Sequence, residues 1–306
     1  MPTKNAASQR RAIVPNSVTF QQRRFMQRFC IYIQNTHFLF LMSTFLFDEI
    51  VFGPVKSRRL GVSLGINLLP TDCKYCNFDC IYCECGRNDI QKMRENTLPT
   101  RTEIYAALEH KLIAMQQAET FHATSLQPDA ITFAGNGEPT IHPDFAGIID
   151  DTVSLCNRYA PNSKISVLTN ATMLHRQEVV EALKKTDMPI LKLDSAFDTT
   201  IALMNQPVKK IPAFQLIEQM QSFGKQCIIQ TMFIQGTYRS QTVDNTMPEE
   251  LDAWERAVLV IRPERVMIYT IARNTPTETI RKVPGKTLHE IAGRIEKHGI
   301  PVQVSE

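Results

Sequence analysis

Between residues 62 and 271 short apolar runs alternate with longer amphipathic ones. Val62-Ser63-Leu64-Gly65-Ile66-Asn67-Leu68 alternates as a half-buried strand does, and Ala130–Ala134, Ile165–Leu168, Ile190–Asp194, Cys227–Phe233 and Arg265–Ile271 follow it less strictly. The segments between them are helical in character. Thr100-x-x-Glu103, Thr246-x-x-Glu249 and Thr287-x-x-Glu290 read as capping boxes, in which a hydroxyl and a carboxylate satisfy amides that a helix start leaves open. Pro212 opens a further helix, with Phe214, Ile217 and Met220 on one face and Gly224 at its end. Pro143–Asn157 and His175–Lys185 supply two more. After the second strand, strand starts recur about every 25 to 38 residues, the length of a βαβ unit. The fold this predicts is α/β, a partial (βα)6 TIM-type barrel of parallel strands with helices outside.

Polar residues collect at one end of that barrel. A cysteine-rich loop follows the first strand, Gly135-Asn136-Gly137-Glu138-Pro139 the second, Thr169-Asn170 the third, Asp194-Ser195 the fourth and Arg273-Asn274 the sixth, while Gln230 and Thr231 lie within the fifth. Lys192 and Asp194 point the same way along one strand. Each motif alone reads as a turn, a helix cap or an ion pair. At the C-terminal mouth of a barrel, beside a metal loop, together they predict a pocket.

Composition adds a boundary. With 306 residues, 43% of them hydrophobic, the chain can bury a large core. Its net charge of +3 hides six basic residues and no acidic one in residues 1–47; the remaining 28 basic side chains face 31 acidic ones, which excludes a body built to coat nucleic acid. Lys56, Arg58 and Arg59 form a local basic patch, read as a solvated or ion-paired face. The ten-residue apolar run Phe38–Phe47 is too short to span a bilayer, and Phe45-Leu46-Phe47-Asp48 lacks the small residues of a signal-cleavage site. The expectation is a non-core extension over residues 1–45, with translation starting at Met42, and one core domain over 46–306 in a reducing, cytoplasmic compartment. An intact natural N-terminus at residue 1 would overturn that start.

Five of the eight cysteines, Cys73, Cys76, Cys80, Cys83 and Cys85, crowd into thirteen residues. Cys30, Cys156 and Cys227 stand in apolar surroundings and read as packed thiols. A chain of this length without a secretory signal has no need of disulfide staples. Zinc competes, since Cys73-x2-Cys76 and Cys80-x2-Cys83 each resemble half a zinc knuckle, but only three residues separate the halves where zinc ribbons use roughly fifteen. A closed four-cysteine cluster using Cys73 is a further reading, although ferredoxin runs end in Cys-Pro and here Glu84 follows Cys83. Cys76, Cys80 and Cys83 alone would leave a cubane iron–sulfur cluster one ligand short, with an iron open to substrate or cofactor.

Cys76-x3-Cys80-x2-Cys83, with Tyr82 before the last cysteine, resembles the radical S-adenosylmethionine (SAM) superfamily. Phe52-Gly53-Pro54-Val55-x2-Arg58-Arg59-Leu60-Gly61-x-Ser63-Leu64-Gly65-Ile66-Asn67 narrows the resemblance to iron–sulfur oxidoreductases related to archaeal wyosine synthases. The resemblance implies that Cys76, Cys80 and Cys83 bind three irons of a [4Fe-4S] cluster and that SAM chelates the fourth. Reductive cleavage of SAM would then yield methionine and a 5′-deoxyadenosyl radical that takes hydrogen from a substrate, with RNA and protein side chains as candidates. It places Tyr82 near the adenine and Gly135, Gly137 and Glu138 at the methionine amino group, with Asn136 splitting the glycines. Thr169 and Asn170 would meet ribose or carboxylate, Asp194 and Ser195 join the cofactor contacts, and Arg273 would pair with the SAM carboxylate. Lys192 is the candidate catalytic residue, through a Schiff base with a carbonyl substrate. A flavodoxin- or ferredoxin-type one-electron donor is the expected partner, and no membrane is. Upstream of Cys73 only Cys30 is available, so the second cluster of the archaeal wyosine enzymes has no ligand set here. The competing readings are a noncatalytic iron–sulfur electron carrier or redox sensor, and a zinc-stabilised RNA-binding module.

Overall fold

A computed structural model describes residues 45–57, 60–122, 127–273 and 275–306, with side chains left aside at 118–122. The extension expected over residues 1–45 and the start at Met42 lie outside these residues apart from Phe45, as do Arg58, Arg59 and Asn274. The described chain belongs to the compact unit Thr44–Glu306.

The strands in chain order are β1 Val51–Ser57, β2 Gly61–Ile66, β3 Ala130–Phe133, β4 Lys164–Thr169, β5 Met188–Lys192, β6 Ile228–Met232, β7 Ile234–Tyr238, β8 Gln241–Asp244, β9 Arg265–Tyr269, β10 Ile280–Lys282 and β11 Val302–Ser305. One eight-stranded sheet runs β1-β2-β3-β4-β5-β6-β9-β11 and a smaller sheet runs β10-β7-β8. From β2 to β11 every pairing in the large sheet is parallel, and β1 pairs antiparallel at its edge. The six predicted strands are all present. The seventh parallel strand, β11, has four residues against one neighbour, too short to leave a period of its own.

Alternation along the strands builds two layers. Ile131, Phe133, Val167, Leu191, Ile229 and Ile268 share one core with helix residues such as Phe145, Leu155, Leu183, Trp254 and Ile291. Each such burial stabilises by about 1.5–3 kcal/mol. The alternate residues Ile190, Ile228 and Met267, with Leu60, Leu168 and Met188, form a separate cluster on the other face. In a parallel α/β sheet with helices outside, that face is the lumen.

Helix starts test the capping expectations. At Arg101–His122 the box is formed: the Thr100 amide donates to Glu103 Oε2 at 2.7 Å and the Glu103 amide to Thr100 Oγ1 at 3.3 Å. The Thr246 amide instead donates to Asp244 Oδ1 at 2.8 Å, and the helix starts two residues later at Pro248, whose fixed φ suits a first turn. The last helix, Gly285–Glu296, begins ahead of Thr287.

Candidate metal centre

The cysteine loop leaves the C-terminal end of β2 and is clamped from two sides. On one side the turn after β3 receives it: the Tyr75 amide donates to the Asn136 carbonyl at 2.7 Å and the Glu138 amide to the Tyr75 carbonyl at 3.2 Å. That approach explains Gly137, and the Asn67 side chain after β2 explains Gly135. A Cβ on Gly137, whose φ is +151°, would lie 1.9 Å from the Tyr75 oxygen, and one on Gly135 would lie 2.3 Å from Asn67 Oδ1. Asn136 between them is fully buried; its side chain accepts from the Phe47 amide and donates to the carbonyls of Phe47 and Pro70. On the other side the turn after helix Asp198–Met204 holds the loop, through Asp79 N to Asn205 O at 2.9 Å and Ile81 N to Met204 O at 2.9 Å.

Cys76, Cys80 and Tyr82 lie in one buried cluster, and Cys83 packs against it. The sulfurs are supplied with donors. Cys76 Sγ accepts from the Phe78 amide at 3.3 Å and from Asn170 Nδ2 at 3.8 Å, and Cys80 Sγ from Asn205 Nδ2 at 3.5 Å. The neighbouring Cys85 draws the Cys83 thiol down, while burial pushes those of Cys76 and Cys80 up. The Cys85 thiol also reaches the Gly135 carbonyl at 3.5 Å. Cys73 lies apart, its sulfur accepting from Asn96 Nδ2 at 3.6 Å, and it packs with neither the cluster nor Cys83. Among the described residues no three His, Cys, Asp or Glu side chains converge on one metal-ion position. Three cysteines whose neighbourhood supplies amide donors to the sulfurs of Cys76 and Cys80 fit the thiolate ligands of an iron–sulfur cluster.

Two polar networks anchor the surrounding strand ends. Glu138, buried after β3, accepts from the Thr140 amide at 3.1 Å, Thr169 Oγ1 at 2.6 Å and the Asn170 amide at 2.6 Å. Burial raises its pKa against the pull of these donors. Asn170 goes on to the loop through Asn77 Oδ1 at 2.7 Å. In the second network Tyr82 donates its hydroxyl to Asp194 Oδ2, which also accepts from Asn205 Nδ2 at 2.7 Å. Asp194 Oδ1 takes the Met232 amide at 2.9 Å and lies 3.3 Å from Lys192 Nζ. Lys192 donates to Tyr269 Oη at 2.8 Å, with its ammonium 5.0 Å from the Tyr82 ring centre and 5.2 Å from that of Tyr269. Burial works to strip its proton, but Asp194 and its other neighbours more than offset this and raise its pKa.

The structure thus gathers Tyr82, Gly135, Asn136, Gly137, Glu138, Thr169, Asn170, Lys192 and Asp194 around the three cysteines. Two predicted residues sit differently. Ser195 donates to Glu250 Oε2 at 2.7 Å and accepts from the Phe197 amide, and exposed Arg273 pairs with Glu84 at 2.6 Å. Sequence reasoning missed Lys74, Asp79 and Asn205, ordinary polar residues that carry no motif, and quoted Asn67 without giving it a role at the site. Two open clefts, of about 610 Å³ beside Gly224 and Arg262 and about 490 Å³ beside Asp244 and Arg281, hold none of these groups.

Fold and site together define a class: an α/β half-barrel whose cysteine loop sits at the C-terminal edge of a parallel sheet, where such barrels keep their chemistry. Residues 72–247 match the family model of the radical SAM superfamily, more than half of the chain. The chain belongs to that superfamily; it is an enzyme, with an iron–sulfur cluster and SAM as its cofactors. It is 30% identical over 228 residues to a protein of Brachyspira hyodysenteriae named GTPase Obg, covering 74% of this chain and 31% of that one. It is 29% identical over 174 residues to a UPF0026 protein of Methanocaldococcus jannaschii, covering 57% and 49%. The matches thus span half or less of the length of these two relatives. A radical SAM methyltransferase from Sphaerobacter thermophilus shares the fold, with a TM-score of 0.56 at 14% identity over 79% of this chain and 65% of that one.

Proposed function

We propose that residues 46–306 form a radical SAM core in which Cys76, Cys80 and Cys83 hold three irons of a [4Fe-4S] cluster and SAM completes the fourth. When bound, these cofactors would supply reductive cleavage of SAM to methionine and a 5′-deoxyadenosyl radical able to abstract hydrogen from an unidentified substrate, with RNA and protein side chains as candidates. The observation that carries the reading is the sorting of the cysteines: Cys76, Cys80 and Cys83 pack in one cluster while Cys73 is engaged elsewhere. The protein's part is to hold, orient and enclose. Asp194 and Asn205 fix the Tyr82 ring beside the pocket, and the glycine turn lets the loop seat against the sheet. Gly135, Asn136, Gly137, Glu138, Thr169, Asn170, Asp194, Ser195 and Arg273 are the proposed SAM surroundings. Among them Glu138 and Asp194 act by positioning, since protein groups already occupy their oxygens. Lys192 is held as a cation, which suits binding an electron-rich substrate group better than forming a Schiff base.

The seven described cysteines are all free thiols, and no helix among the described residues is long and apolar enough to cross a membrane. A cytoplasmic location and a flavodoxin- or ferredoxin-type electron donor complete the proposal. Anaerobic reconstitution tests it: about four irons per chain, a cluster spectrum perturbed by SAM, and 5′-deoxyadenosine formed under reduction are expected. A cluster indifferent to SAM that yields no 5′-deoxyadenosine would favour a noncatalytic electron carrier.

A further inference from the structure

Two buried asparagines reach the cysteine loop from opposite sides. Asn170 stands just past the end of β4 and Asn205 just past helix Asp198–Met204, and they are 5% and 2% exposed. Asn205 Nδ2 donates to Cys80 Sγ at 3.5 Å, and Asn170 Nδ2 to Cys76 Sγ at 3.8 Å. Their other partners fix which end of each carboxamide faces the sulfur. Asp194 Oδ2 lies 2.7 Å from Asn205 Nδ2 and is a carboxylate oxygen, so it calls for the amide nitrogen. Asn170 Oδ1 accepts the Thr172 amide at 3.1 Å, which leaves the two hydrogens of Nδ2 for Asn77 Oδ1 at 2.7 Å and the Cys76 sulfur. Asn96 makes the same kind of contact with Cys73 Sγ at 3.6 Å, but it is only half-buried and its Nδ2 also meets the Lys92 carbonyl at 3.0 Å. Burial matters because an N–H dipole acts more strongly on a nearby charge where water does not screen it.

We propose that Asn205, seconded by Asn170, raises the reduction potential of the cluster held by Cys76, Cys80 and Cys83, through N–H···S hydrogen bonds to two of its three protein ligands. This rests on the ligand assignment above. Both asparagines are positioning residues that act through the sulfurs. In the step concerned one electron passes from a one-electron donor, which is oxidised, to the cluster, which is reduced; no bond forms or breaks and no proton moves. The added negative charge spreads onto the thiolates, so hydrogen bonds already aimed at them favour the reduced form. Asn205 also lies 2.7 Å from Tyr82 Oη, and a residue that only pinned this ring would leave the potential alone.

The test is a potentiometric titration, followed by electron paramagnetic resonance, of the full chain reconstituted anaerobically without SAM, as wild type, Asn205→Leu, Asn170→Leu and Asn96→Leu. Leucine is close to asparagine in size and carries no side-chain donor. Asn205→Leu is expected to lower the reduced-to-oxidised ratio at a given potential about three- to tenfold, equivalent to about 28–59 mV for one electron. Asn170→Leu, which removes the longer hydrogen bond, should give a smaller fall in the same direction, and Asn96→Leu, beside a cysteine outside the cluster, none. An Asn205→Leu cluster at the wild-type potential overturns the proposal, as does a fall in Asn96→Leu equal to that in Asn205→Leu. Should Asn205→Leu hold no cluster, wild-type protein carrying asparagine isotope-labelled at Nδ2 decides: pulsed electron paramagnetic resonance of the reduced cluster should show hyperfine coupling to that nitrogen, and its absence overturns the proposal. Wild-type protein that takes up no iron would refute the ligand assignment itself.

Discussion

Replacing Gly137 with alanine puts a methyl group where the backbone of the cysteine loop already lies. The new Cβ would stand 1.9 Å from the Tyr75 oxygen and 2.5 Å from its carbonyl carbon, and neither can rotate away as a side chain would. An ordinary contact begins at 3.4 Å, so the loop must retreat by about 1.5 Å. That breaks the pair of hydrogen bonds flanking Tyr75, at 2.7 and 3.2 Å, each worth about 0.5–1.5 kcal/mol net. Holding alanine at φ +151° adds about 1–3 kcal/mol of backbone strain. The sum is roughly 2–6 kcal/mol, or a fall in Tm of roughly 4–24 °C for a domain of this size. Thermal unfolding of the cluster-free protein reads the stability, and iron per chain after reconstitution reads the site, where Cys76 follows Tyr75 directly. Gly293→Ala is the control: it lies in helix Gly285–Glu296 with nothing within 4 Å of the new Cβ, and should stabilise by up to about 1 kcal/mol. A Gly137→Ala protein that melts within about 2 °C of wild type and loads the same iron would refute the clamp.

Alanine at Cys76, Cys80 or Cys83 should abolish the SAM-responsive cluster while Cys73→Ala retains it; equal iron loss in Cys73→Ala and Cys80→Ala would sink the ligand assignment. Asp194→Ala leaves Lys192 a buried cation without its carboxylate and removes the acceptor of Tyr82, Asn205 and the Met232 amide, and should cost about 3–5 kcal/mol in urea unfolding. A loss under about 1 kcal/mol would show that solvent reaches the pair. In the cluster-free protein the neighbouring Cys85 draws the Cys83 thiol below its ordinary value, whereas burial pushes that of Cys76 up. Brief iodoacetamide treatment at pH 7 with peptide mapping should therefore label Cys83 first, and Cys76 labelled ahead of it contradicts the assignment.

The alternation of apolar and polar positions by itself determined the barrel strands and most helices, because burial on a sheet face or helix stripe imposes a period that any short window shows. The spacing of Cys76, Cys80 and Cys83 likewise marked the loop, since these cysteines lie within eight residues. Other features were set only by packing. Asn205 reaches Cys80 across 125 residues and Tyr82 reaches Asp194 across 112, and no local pattern encodes a contact that depends on where two strand ends meet. The box at Thr246 failed for the same reason, Asp244 having captured its amide. Gly135 and Gly137 read as a turn until Asn67 was seen to pack against the first and the loop at Tyr75 against the second. Cys73 and Cys76 look alike in sequence; one faces Asn96 and the other the shared pocket, because the direction of each thiol is fixed by the loop's clamps on the sheet and on the turn after Met204.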